Sequence, residues 1–188
     1  GGVYSGIGKG VVSASIAAII GGRAVNIKWD GYHNRNPGTL SPIEHGECFV
    51  TADGAEVDLD FGHYERLTGN TTSGRHSITR GKLSETMAHL ERTGQRYEGK
   101  TIQEVPHMRD LLVEMIEAAT DGADTVIFEI GGTVGDDETS LALHAAVALG
   151  RRFGRDNVRH VHVVPLCYTI DGHEPKTKWT LARRFARA

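Results

Sequence analysis

A glycine-rich run, GGVYSGIGKG (residues 1–10), carries a lysine near its end. Such a loop at a helix start aims successive backbone N–H groups at one place, and the lysine adds a point charge. Together they suit phosphate oxygens. The spacing approaches the phosphate-loop pattern G-x-x-x-x-G-K-[ST] without matching it. Val3 stands at the first glycine's place, with Gly2 one step earlier, and Gly10 follows Lys9 where serine or threonine is usual. A plain glycine-rich turn is the competing reading; Gly-Lys-Gly at a helix start favours phosphate binding. The missing hydroxyl ordinarily ligates Mg2+, so another group must hold the metal. Two acidic runs supply candidates, DGAEVDLD (53–60) and FEIGGTVGDDE (128–138). Glu129 falls near the carboxyl end of an expected strand, where ligand-contacting residues of α/β sheets gather. Hard carboxylate oxygens joined by substrate phosphates suit Mg2+.

Other reactive residues carry weaker signals. His160 and His162 lie two apart, hence on one strand face, but no cysteine or third histidine has partner spacing. Solvated or hydrogen-bonded histidines are the favoured reading. Cys48 and Cys167 cannot form a disulfide framework, so a reducing compartment is the default. The 188 residues carry a formal net charge of −3, which argues against a general nucleic-acid binder. No apolar run approaches a membrane span and nothing resembles a signal peptide.

The elements that must position these residues follow from the hydrophobic pattern. Residues 11–20 (VVSASIAAII) read as a helix stopped by Gly21 and Gly22, and AVNIKW (24–29) reads as a buried strand. DTVIFEI (124–130) and VRHVHVVPL (158–166) read as further strands. Helices are expected at about 82–93, 107–120 and 139–152, the second with Met108, Leu111, Leu112, Met115 and Ile116 at helical spacing. The stretch 67–81 (LTGNTTSGRHSITRG) has loop composition and is expected to be mobile. The order of loop, helix and strand predicts an α/β fold, a mostly parallel sheet flanked by helices, P-loop NTPase-like with a variant phosphate loop. A phosphate loop needs a strand before it to aim it, and none precedes Gly1.

Several blocks then carry a specific resemblance. The loop GGVYSGIGKG, the segment KWDGYHNRNPGTLSPIEHGECFVTADGAEVDLDFGHYER (28–66), GKTIQEVPH (99–107), EIGGTVGDDE (129–138) and KTKWT (176–180) resemble the amino-terminal synthetase (amidoligase) domain of the CTP synthase family. They occur in the family's order across nearly the whole chain. The resemblance implies ATP-dependent, Mg2+-dependent amination of UTP: phosphorylation of uracil oxygen 4, then displacement of the phosphate by ammonia. It implies ATP binding by Gly6, Ile7, Gly8, Lys9, Gly10, Val11 and Asp60, with Lys9 on the phosphates and Lys28 assisting phosphate handling, both as catalytic residues. Asp60 and Glu129 match the metal ligands. Ser5, Asp136, Asp137, Glu138, Lys176, Thr177, Lys178, Trp179, Thr180 and Leu181 match positions that touch UTP or the inhibitor CTP. His45 and His63 lie inside the matching block, as candidate nucleotide contacts. A cytoplasmic homotetramer with nucleotide sites where subunits meet is also implied.

The departures cluster. Gly31 replaces a usual proline, Trp179 and Leu181 replace proline and glutamine, Arg80 and Ser84 replace threonine and tyrosine, and Asp137 replaces an aliphatic residue. Lys9, Asp60 and Glu129 are spared. That pattern leaves open a related amidoligase acting on a different or modified nucleotide, and a nucleotide-binding filament or regulatory paralogue without turnover. A nucleotide-switch ATPase would leave the 28–66 block unexplained. Nothing matches the family's carboxy-terminal glutaminase, so free ammonia is the expected nitrogen donor for this chain. The expected domain is a single synthetase unit, 1–188, incomplete at both ends.

Overall fold

The computed structural model describes residues 1, 2, 5–163, 180, 181, 183, 184 and 187. Its organising element is β1 (Ala24–Asp30), the middle strand of a three-stranded parallel sheet. β4 (Ser77–Thr79) lies on one side and β5 (Thr125–Ile130) on the other. Lys28 pairs across to Ser77 and to Glu129, and Asp30 to Thr79. A short antiparallel hairpin, β2 (Phe49–Val50) with β3 (Glu56–Val57), stands apart from the sheet. This is the α/β, parallel-sheet architecture that the sequence predicts.

Strand alternation divides β1 between two environments. Ile27 and Trp29, both fully buried, join a large apolar cluster with Ile78 and Ile130. That cluster is completed by α4 (Arg80–Arg92), α5 (Arg109–Ala118) and α6 (Asp137–Phe153), through Leu83 and Met87, Leu111 and Leu112, and Leu141 and Ala142. The alternate residues Asn26, Lys28 and Asp30 are buried too, yet polar. Beyond the short α2 (Pro42–His45), α3 (Asp60–Thr68) packs on α1 (Lys9–Ile20) in a second cluster, where Ala14 meets Val57, Phe61 and Tyr64.

Helix boundaries follow local chemistry. α1 begins after Gly8 at φ 82 and stops at Gly21, whose φ of 64 a β-carbon would disfavour. Ser13, Ala14 and Ala17 form its buried side, and small residues there admit close approach. α4 is capped by Thr79, whose hydroxyl accepts from Lys82 N at 3.0 Å.

Two expectations need correction. The stretch 67–81 is not a free loop, because Ser77–Thr79 forms β4, with Ile78 and Thr79 buried. Lys82 Nζ donates to the carbonyls of Gly74 and Ser77 at 2.9 and 2.7 Å, and His76 Nε2 lies 3.0 Å from Asp121 Oδ2. Three residues are too few to show a period, so tertiary pairing decides this strand. The expected strand 158–166 is also corrected. Residues 158–162 are not in a strand, and Val163 makes one isolated parallel bridge, to Gly2. Residues 164–166 lie outside the described residues. Alternation marks a segment suited to a strand, but a ladder also needs a facing edge.

α3 is a helix that the periodicity did not predict. No helix among the described residues is long and apolar enough to cross a membrane. Leu112, 0% exposed, sits at the centre of the large cluster. Leu112→Ala should cost about 2–5 kcal/mol, read as a lower urea midpoint with an unchanged m-value.

Candidate active site

The site gathers at the carboxyl end of β1. Lys28 Nζ lies 2.7 Å from Asp58 Oδ1, 2.6 Å from Asp60 Oδ2 and 3.8 Å from Asp30 Oδ1. Asp58 precedes α3 and accepts from the backbone N–H of Asp60 at 2.9 Å, so it also holds the helix start. Glu129, the register partner of Lys28 on β5, is 3% exposed and accepts a hydrogen bond from the Tyr64 hydroxyl. Lys9 is buried at the first turn of α1.

The electrostatics are lopsided. Four carboxylates, Asp30, Asp58, Asp60 and Glu129, act on Lys28. Burial opposes its charge, but these acids outweigh burial and hold its pKa well above the ordinary value. Burial pulls the Lys9 ammonium down, partly offset by Glu129. Burial pushes Glu129 up, and pushes Asp30 from the ordinary 3.8 to about 7. Asp30 is 8% exposed and its Oδ2 has no hydrogen-bond partner among the described residues. A β-carbon on Gly131 would stand 2.6 Å from Asp30 Oδ1, so a glycine there gives this carboxylate its room.

The variant loop has a structural explanation. A β-carbon on Gly10 would collide with the Asp60 carboxylate. The acid thus occupies the space beside the position where a phosphate loop usually carries its hydroxyl. Among the described residues no three histidine, cysteine or acidic side chains form a self-sufficient metal group. Two hard carboxylates in a surplus of negative charge nevertheless fit Mg2+ completed by phosphates and water. Asp60 and Glu129 are the residues that would hold it.

The phosphate-loop residues fall together. Ser5, Gly6 and Gly8 are exposed, Ile7 is half-buried and Val11 is 45% exposed. Gly6 and Gly8 take φ of 71 and 82, conformations that suit glycine. Lys9's stem runs over Gly2, where a β-carbon would stand 3.0 Å from Lys9 Cδ.

The acids ahead of α6 separate into two kinds. Asp136 accepts from the Thr133 hydroxyl, whereas Asp137 and Glu138 line a cleft of about 400 Å3 with Gly31, His33, Arg80 and Glu104. Trp29 Nε1 donates to the Glu138 carbonyl at 3.1 Å, and a β-carbon on Gly31 would collide with Glu138. The Gly31 departure therefore accompanies a close seating of α6 on β1. Arg80, another departure, pairs with Glu104 at the cleft wall.

Thr180 is exposed and Leu181 half-buried, while Lys176, Thr177, Lys178 and Trp179 lie outside the described residues. His45 stacks edge-on against Tyr32 with centroids 6.0 Å apart, and His63 lies beside Arg66. Individual roles for Asp30, Asp58 and Tyr64 did not emerge from the sequence. The i, i+2 spacing in Lys28-x-Asp30 and Asp58-x-Asp60 is the signal that could have found the first two.

The chain is similar to known proteins over nearly its whole length. The family model described as CTP synthase N-terminus matches residues 1–183. A CTP synthase from Sphingopyxis alaskensis is 45% identical over 183 residues, which cover 96% of this chain and 34% of the relative. The chain therefore spans about a third of that relative's length.

Two outcomes test the site. Gly10→Ser should displace the Asp60 carboxylate and weaken binding of a Mg2+–ATP analogue at least tenfold, while metal-free nucleotide binding changes less; calorimetry with and without chelator checks this. The Asp30 proton is held more tightly in the folded chain, so its stabilising contribution is full below pH 3.8 and lost as pH rises through about 7. Asp30→Asn should thus gain thermal stability relative to the parent as pH rises from about 4 to about 7 and hold that gain above it, as melting curves would show.

Proposed function

The chain belongs to the CTP synthase N-terminal family, and on that premise we propose that it performs the synthetase reaction, converting UTP to CTP with ATP and ammonia. The observation that carries the reading is the seating of Lys28. Its ammonium is fixed between the acids at the start of α3, on the strand next to Glu129. A buried, permanently charged lysine there suits a phosphoryl group passing between two nucleotides.

In this reading, the backbone of Gly6–Val11 cradles the ATP phosphates, with Lys9 adding charge at the start of α1. Mg2+ held by Asp60 and Glu129 would supply neutralisation of phosphate charge. Lys28 orients the γ-phosphoryl group toward uracil oxygen 4. That oxygen forms a bond to phosphorus as the bridging bond to ADP breaks, and the ring N3 proton passes to solvent. Ammonia then attacks C4, the C4–O bond breaks, phosphate leaves and the surplus ammonia proton passes to solvent. The protein's contribution is positioning and charge placement more than covalent chemistry.

Ser5, Asp136, Asp137, Glu138 and the 176–181 segment hold the pyrimidine nucleotide in this proposal. The cleft beside Gly31 supports a nucleotide-binding edge at the start of α6. Assembly into a tetramer is part of the same proposal. Exposed Ile19 and Ile20 on α1, and Ile43 at 97% exposure, offer apolar surface that a second copy would cover.

The test incubates the protein with ATP, UTP, Mg2+ and ammonium chloride and follows ADP and CTP by chromatography. Equal formation of both is expected. ADP without CTP would retain the phosphate site and reject UTP as acceptor. The close seating of α6 on Gly31 gives that outcome a structural origin. Lys9→Ala should lower ADP formation by at least a hundredfold with the fold retained, and unaltered turnover would remove the assignment.

A further inference from the structure

The two acids expected to face the cation are not equally placed. Asp60 sits at the first turn of α3, against Gly10 and Lys28. Glu129 lies on β5, with burial working against its charge. Something must aim its carboxylate. Tyr64 stands one helical turn after Asp60, on the same face of α3. It is 1% exposed and its hydroxyl donates to Glu129 Oε2. Its ring is fixed edge-to-face against Phe61, with centroids 5.1 Å apart at 65°.

One helix therefore reaches both acids, Asp60 directly and Glu129 through a phenol. We propose that Tyr64 is a positioning residue which sets the aim of the Glu129 carboxylate and thereby the divalent-cation affinity of the site. The inference rests on the reading of Asp60 and Glu129 as cation-holding residues. Its physical basis is that a carboxylate ligand with one oxygen tied to a rigid donor has fewer orientations to lose on binding. The remaining oxygen is left for the cation. A phenol suits this task because its ring locks by packing while its single O–H points one way.

Tyr64→Phe keeps the ring and its contact with Phe61 while removing the hydroxyl. Mn2+ binding, measured by water-proton relaxation on the folded protein, should weaken about 10- to 100-fold. Binding of an ATP analogue in chelator should stay within about twofold, because Tyr64 does not act on the phosphate loop. In a Glu129→Gln background the same change should leave Mn2+ affinity unmoved, since Tyr64 acts through that carboxylate. Tyr97→Phe, which removes a hydroxyl without a partner among the described residues, should leave it unmoved in the parent. Parent-like Mn2+ affinity in Tyr64→Phe would overturn the inference while leaving the cation site standing. No Mn2+ binding by the parent would overturn the cation reading together with the role of Tyr64. Nucleotide binding in chelator would still test the phosphate loop separately.

Discussion

The structure depends on one buried ammonium. Lys28 is 5% exposed in the central strand, and a cation so placed is tolerable only with partners in contact. Asp58 and Asp60 supply them from the start of α3, so the helix cannot shift without stripping the lysine of its counter-charges. The 28–66 segment thereby returns to the strand where it began. The charge surplus around Lys28 is what the proposed cation site draws on. Structural and functional electrostatics are here a single arrangement, a common feature of sites with perturbed ionisation.

The sheet was legible where runs were long and apolar. AVNIKW and DTVIFEI became β1 and β5, and the helices of the large cluster lie within a few residues of their expected limits. Ser77–Thr79 was hidden because its pairing partner lies far away in sequence and its own length shows no period. The helix from Asp60 was hidden in a mixed sequence whose buried residues, Phe61, Gly62 and Tyr64, include a glycine. The segment 158–163 shows the opposite failure, a strand-like pattern that among the described residues is bridged at Gly2 alone.

For the candidate site, the glycine-rich loop, Lys28, Asp60 and Glu129 were singled out by motif and resemblance. What they needed from one another was not. The absence of a hydroxyl after Lys9 looked like a defect in the motif, and the collision at Gly10 makes it a requirement of Asp60. The glycines at 31 and 131 are likewise explained by what presses on them, Glu138 and Asp30, and not by backbone conformation. Such constraints belong to pairs of residues distant in sequence, so neither residue announces them alone.

The alternation along β1 has a consequence for folding itself. Ile27 and Trp29 join the apolar cluster, while Lys28 and Asp30 face charge. Most central parallel strands are apolar on both sides and can slide by one residue with little penalty in burial. Here a one-residue slip would drive an ammonium and a carboxylate into the apolar cluster and an indole among the acids. The same residues that mark the site thus act as a register key, excluding misaligned sheets before any substrate is met.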